Sequence, residues 1–187
     1  MNKIVFFGDS NTYGYDPRSY FGSRYPAEVR WTGRLEGHEV INCGMNGLAV
    51  PRCGQPWLEL TRSKSPDLAV VMLGSNDLLE GADAAATADR MDTFLADVMA
   101  AGVKVLLIAP PPMQRGEWVQ SDTLIEESEK LRQRYRKLAE ERGCFFADAG
   151  DWGVELLFDG VHFSPAGHAA FARGLSEALR ECESKIG

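Results

Sequence analysis

No stretch of this sequence is apolar for long enough to cross a bilayer as a helix. That needs roughly 20 consecutive apolar residues, and the longest runs here, such as Leu68–Leu73 and Val105–Ala109, are far shorter. The extended apolar region and small-residue cleavage site of a secretory signal are also missing: one lysine precedes Ile4–Phe7, which runs straight into Gly8-Asp9-Ser10. A cytoplasmic location is the expectation. Potential metal ligands are sparse. The four cysteines, at 43, 53, 144 and 182, form no C-x-x-C pair, and the imidazoles are limited to His38, His162 and His168. This argues against a zinc site and leads us to expect free thiols, no metal and no other cofactor. There is no lysine- or arginine-rich block, and 20 basic residues against 27 acidic ones leave a net charge of −7. Nucleic acid and anionic membrane surfaces are therefore disfavoured as partners, and a small neutral molecule is favoured. Neither G-x-x-x-x-G-K-[ST] nor G-x-G-x-x-G follows the first strand-like segment, so a nucleotide- or flavin-binding module, the non-enzymatic alternative, lacks its phosphate cradle.

What remains is ordinary globular composition: 187 residues, 44% of them hydrophobic, enough for one buried core and expected to form a single domain over 1–187. Strand-like runs at Lys3–Phe7, Glu39–Asn42, Leu68–Leu73, Val103–Ala109 and Cys144–Ala147 alternate with helix-like runs. That alternation predicts an α/β fold with a five-stranded parallel sheet, and the mostly continuous apolar character of the strands predicts burial on both faces. Met91, Leu95 and Val98 recur at helical spacing before Gly102. A second helix opens at Thr123 and Glu126 in capping-box spacing, carries Leu124, Leu131, Tyr135 and Leu138, and stops at Gly143. The last has Ser164 as N-cap and Pro165 at its first position, with His168, Phe171, Leu175 and Leu179 on one side.

In a doubly wound sheet, ligands bind beyond the carboxyl ends of the strands. Those ends carry Asp9-Ser10, Gly44, Asn76 and, after the fifth strand, Asp159-Gly160-Val161-His162. Ser10 follows a buried strand and opens a helix, which exposes its hydroxyl at the rim; the competing reading is a capping serine. Of the three imidazoles, His162 is the best base. His38 sits at the amino end of its strand, and His168 shares a stripe with Phe171 and Leu175. Asp159 can orient the His162 ring, with Asp148 and Asp151 as more distant competitors. The backbone N–H groups of Ser10 and Gly44 and the side-chain amide of Asn76 can converge on an oxyanion, Gly44 because its missing side chain permits close approach. Met45, Leu48, Trp118 and Val161 are expected to line a substrate pocket, core packing being the alternative for each. The long connection from Pro110 to Asp122 is expected to serve as a lid or a binding wall.

These residues resemble the four blocks of the SGNH hydrolases, also called GDSL-type esterases: Gly8-Asp9-Ser10 with Gly14, Gly44 with Gly47, Gly74-Ser75-Asn76-Asp77, and Asp159-Gly160-Val161-His162. Ser75 stands where threonine is common. The resemblance implies a flavodoxin-like, three-layer α/β/α sandwich and metal-independent hydrolysis of carboxylic esters. It assigns Ser10 as nucleophile, His162 as base, Asp159 as its partner, and Ser10, Gly44 and Asn76 as the oxyanion hole, with Asp9 bracing the nucleophile loop. Arg30-Trp31-Thr32-Gly33, Pro110-Pro111-Pro112 and the Phe163 that follows His162 are similar to the bacterial arylesterase and acyltransferase branch. That branch implies a small-molecule ester substrate with a short acyl group, acyl transfer beside hydrolysis, and homo-oligomers. A carbohydrate O-acetylesterase or a thioesterase would use the same machinery.

Overall fold

The computed structural model describes residues 2–19 and 21–186. Its strands, β1 (Lys3–Gly8), β2 (Glu39–Asn42), β3 (Leu68–Met72), β4 (Lys104–Ala109) and β5 (Phe145–Asp148), form one sheet in the order β2-β1-β3-β4-β5, with every pairing parallel. The helices are α1 (Ser10–Tyr13), α2 (Gln55–Lys64), α3 (Ser75–Leu79), α4 (Ala84–Met99), α5 (Asp122–Arg142) and α6 (Pro165–Ile186). The α/β fold with five parallel strands, expected from the alternation of runs, is the fold observed.

The apolar runs divide by parity, because successive strand side chains point to opposite faces. Val5, Phe7, Ala69, Val71, Val105 and Leu107 pack with Met91, Phe94 and Leu95 of α4 and Leu131 and Tyr135 of α5. Ile4, Phe6, Leu68, Val70, Leu106 and Ile108 pack on the other face with Trp31 and with Phe171, Leu175 and Leu179 of α6. Each fully buried Leu, Val, Ile or Phe contributes roughly 1.5–3 kcal/mol of transfer free energy, so two packed faces explain why the charged residues of the central strands, Lys3 and Lys104, are confined to their first positions.

Boundaries differ from expectation by a residue at several ends, since the ladders continue into Gly8 and Asp148, neither of which is apolar. One cap is corrected. Helix α5 begins at Asp122 and not at Thr123, because the Ser121 Oγ accepts the Thr123 N–H at 3.2 Å; Thr123 is the capped residue, not the cap. Gly143 ends the helix in the left-handed region at φ 65°, and the Ser164 Oγ accepts the Gly167 N–H at the start of α6. The four cysteines are unpaired.

Candidate functional site

Strand order reverses between β1 and β3, which opens a crevice at their carboxyl ends. Asp9 and Ser10 stand on one side of it, Asn76 on the other. Asp9 is the N-cap of α1, its Oδ1 accepting the Asn11 N–H at 2.9 Å. Ser10 is therefore not the capping residue but the first residue of the helix, where backbone N–H groups have no intrahelical acceptor. Burial pushes the Asp9 carboxyl up to about 6, the Asn11 N–H and the field of His162 only partly opposing it.

The Ser10 Oγ lies 2.9 Å from His162 Nε2, and His162 Nδ1 lies 2.7 Å from Asp159 Oδ2. The remaining oxygen of Asp159, Oδ1, accepts the backbone N–H groups of Val161 and His162, both at 2.9 Å. Burial alone would raise the Asp159 carboxyl. The His162 ring and the two backbone donors outweigh it and hold the group below the usual carboxylate range, so this buried carboxylate is ionised where it faces the imidazole. The structure thus brings Ser10, His162 and Asp159 into one hydrogen-bonded line. The competing acids are engaged elsewhere: Arg132 donates to Asp148 and to Asp151, each at 2.7 Å. His168 is fully buried between Tyr25 and Phe163.

The three expected oxyanion donors differ in availability. The Gly44 N–H donates to the Asn42 Oδ1 at 2.9 Å, and the Asn76 amide spends one N–H on the Leu48 carbonyl at 3.1 Å, leaving the other. The space Gly44 leaves empty faces α1: an added Cβ would stand 2.3 Å from the Tyr13 nitrogen. Its missing side chain admits the neighbouring helix backbone, a different reason from the close substrate approach expected.

The expected pocket residues separate. Trp118 and Met45 are half exposed, 51% and 54%, and the Trp118 ring meets the His162 ring edge-on at 5.0 Å. Val161 is buried in the core beneath, and Leu48 packs against that core. Tyr15, which sequence reading passed over, flanks His162 at 4.9 Å. The 110–122 connection is anchored as a wall. Met113 and Val119 are buried, and Gln114, Glu117 and Trp118 donate backbone N–H groups to the carbonyls of Gly160, Phe158 and Asp159. Two glycines permit this: an added Cβ at Gly116 would lie 2.4 Å from the Asp159 carbonyl carbon, and one at Gly160, where φ is +81°, would lie 2.0 Å from the Gln114 oxygen.

Asn11 also escaped the sequence reading. Its Nδ2 donates to the Val161 carbonyl at 3.1 Å, and its Oδ1 accepts the Phe163 N–H at 3.0 Å. No local pattern marks it, since its partners lie about 150 residues away. Among the described residues, no group of three or more His, Cys, Asp or Glu is placed to hold a metal ion, and no helix is long and apolar enough to cross a membrane.

The family model described as GDSL-like lipase/acylhydrolase matches residues 6–170. Solved structures agree over nearly the whole chain. Est24, a carbohydrate acetylesterase from Sinorhizobium meliloti, is 26% identical with a TM-score of 0.85, covering 97% of this chain and 100% of its own. A candidate arylesterase of Agrobacterium tumefaciens strain C58 is 31% identical with a TM-score of 0.84, covering 97% and 99%. The aryl esterase of M. smegmatis is 26% identical with a TM-score of 0.83, again covering 97% and 99%. No curated protein matches the chain. The protein is a carboxylic ester hydrolase of the SGNH type, and it belongs to the GDSL-like lipase/acylhydrolase family.

Proposed function

We propose that the protein cleaves short-chain carboxylic esters through an acyl-serine intermediate, with Ser10 as nucleophile, His162 as general base and Asp159 as its partner. The observation that carries this reading is the unbroken line from Ser10 Oγ through the imidazole to Asp159, with contacts of 2.9 and 2.7 Å. As Ser10 Oγ bonds to the ester carbonyl carbon, its proton passes to His162 Nε2. The imidazolium so formed faces the ionised Asp159 carboxylate, which stabilises it. The carbonyl oxygen becomes an oxyanion in front of the N-terminus of α1, held by the Ser10 N–H and the second N–H of Asn76. The Gly44 N–H joins as a donor shared with Asn42. Collapse breaks the bond to the alcohol, which leaves with the proton from Nε2. Water, or a second alcohol in the case of transfer, then bonds through its oxygen to the acyl carbon while giving a proton to His162 Nε2. The bond from that carbon to Ser10 Oγ breaks, the acid or new ester leaves, and Ser10 recovers its proton from Nε2.

The leaving alcohol must lie beside Nε2, and the His162 ring is flanked by Tyr15 and Trp118. A planar or pyranose ring can pack against aromatic side chains of this kind, which favours acetate esters of aryl or sugar alcohols as substrates. The acetylesterase and aryl esterase neighbours support the same choice.

The test compares wild type with Ser10→Ala on p-nitrophenyl acetate, butyrate and octanoate without added metal, and follows the acylated protein by mass spectrometry. A folded Ser10→Ala protein should lose acylation and fall by several orders of magnitude in kcat, with acetate best among the wild-type substrates. Equal activity in the two proteins would sink the assignment.

A further inference from the structure

We propose that Asn11 is a positioning residue, whose carboxamide clamps the base-bearing loop onto the nucleophile helix and so sets the distance between Ser10 and His162. The inference rests on the esterase reading above. A neutral hydroxyl–imidazole hydrogen bond has a net worth of only about 1 kcal/mol, too little to hold two elements in register, whereas reaction demands placement within about 0.5 Å. Asn11 supplies the missing constraint. It follows Ser10 directly in α1, is 6% exposed, and bonds to the residues on either side of His162: Val161 through its carbonyl, Phe163 through its N–H.

The backbone dictates the chemistry of the clamp. The Val161 carbonyl needs a donor and the Phe163 N–H needs an acceptor, and a carboxamide offers both from one rigid plane. Aspartate offers acceptors alone and would set a negative oxygen against the Val161 carbonyl. The main chain of Asn11 is fixed as well, its N–H bonded to Asp9 and its carbonyl accepting the Trp31 indole N–H at 2.9 Å. The clamp therefore transmits the position of α1, not its own freedom. Asp159 needs no such help, because its contacts to Val161 and His162 lie within one loop.

The test uses the full chain with Asn11→Ala and Asn11→Asp, measuring kcat and KM on p-nitrophenyl acetate, the rate of Ser10 labelling by a fluorophosphonate, and the downfield NMR resonance of the proton between His162 Nδ1 and Asp159. Asn11→Ala should lose kcat on the order of 10²-fold with KM changed little. Labelling should slow in parallel, and the Asp159–His162 resonance should be retained. In Asn11→Asp the added negative charge should move the acid limb of the kcat/KM profile to higher pH. Wild-type kcat and labelling in folded Asn11→Ala would overturn the proposal. If that variant does not fold, an Asn11→Asp protein with wild-type kcat and an unmoved acid limb would overturn it instead. A wild-type protein inert to both ester and probe would overturn the esterase reading itself, a different result from an active wild type that tolerates loss of the clamp.

Discussion

The backbone N–H of Trp118 donates to the carbonyl oxygen of Asp159 at 3.1 Å. One residue thereby lends its ring to the edge of His162 and its main chain to the loop on which the imidazole's carboxylate partner sits. The wall of the cleft and the hydrogen-bonded pair Asp159–His162 are mechanically joined, and substitutions in the wall act on both.

Gly116→Ala and Gly160→Ala should each destabilise the protein by about 1–3 kcal/mol through overpacking, Gly160→Ala the more, because its φ of +81° adds left-handed strain. Both should lower kcat, since the clash falls on the Asp159 backbone or on the Gln114 carbonyl of the connection bonded to it. Urea midpoints and kcat together check this; an unchanged midpoint for Gly160→Ala would contradict it.

Trp118→Ala should reduce kcat/KM for phenyl acetate by roughly tenfold, the worth of one lost apolar contact, and leave methyl acetate nearly unaffected. Equal losses on the two esters would show that the ring acts through His162 and not through the alcohol.

Two buried groups should give opposite pH slopes. Asp9 is raised from 3.8 to about 6 by burial, so its contribution to stability is full below pH 4 and is lost as pH rises through 6. His168 is lowered from 6.5 to about 4, chiefly by burial and then by Arg34 and Arg30, so its contribution is present above pH 6.5 and is lost as pH falls through 4. Each shift is worth on the order of 3 kcal/mol. In urea unfolding between pH 4 and 6.5, Asp9→Asn should make stability fall more steeply towards acid than in wild type, and His168→Gln should make it rise towards acid. Parallel curves for all three proteins would refute the assignment.

Asp77 is fully buried, with Oδ1 bonded to Arg90 Nη1 and Oδ2 to the Val50 N–H, both at 2.8 Å. Arg90→Met should cost about 3–5 kcal/mol by leaving a buried charge unpaired. Asp77→Asn in that background should restore part of the loss, a coupling that a double-mutant cycle in urea would read.

The sheet was legible because burial on both faces removes polar positions from the interiors of β1, β3 and β4, leaving runs that admit few other readings. Helix starts were less so. Ser121 and Thr123 both have the chemistry of a cap, and which of them serves depends on where the preceding wall delivers the chain. The short helices α1 and α3, of four and five residues, are below the length at which periodicity is visible. In the site, Ser10, Asp159 and His162 lie in motifs that a linear reading can align. Asn11 and Gly116 act through partners distant in sequence, and nothing in their immediate neighbours specifies such partners.

Ser10 and His162 are separated by 152 positions, the first on the connection leaving β1 and the second beyond β5 at the far edge of the sheet. A chain emerging from the ribosome therefore carries the Ser10 hydroxyl well before the His162 imidazole, which follows only after all five strands have been made. Nascent or truncated chains ending before residue 162 lack the base proposed for Ser10, and non-local strand pairings of this kind form slowly. Ester turnover during synthesis would consequently time the completion of the sheet, without any added label.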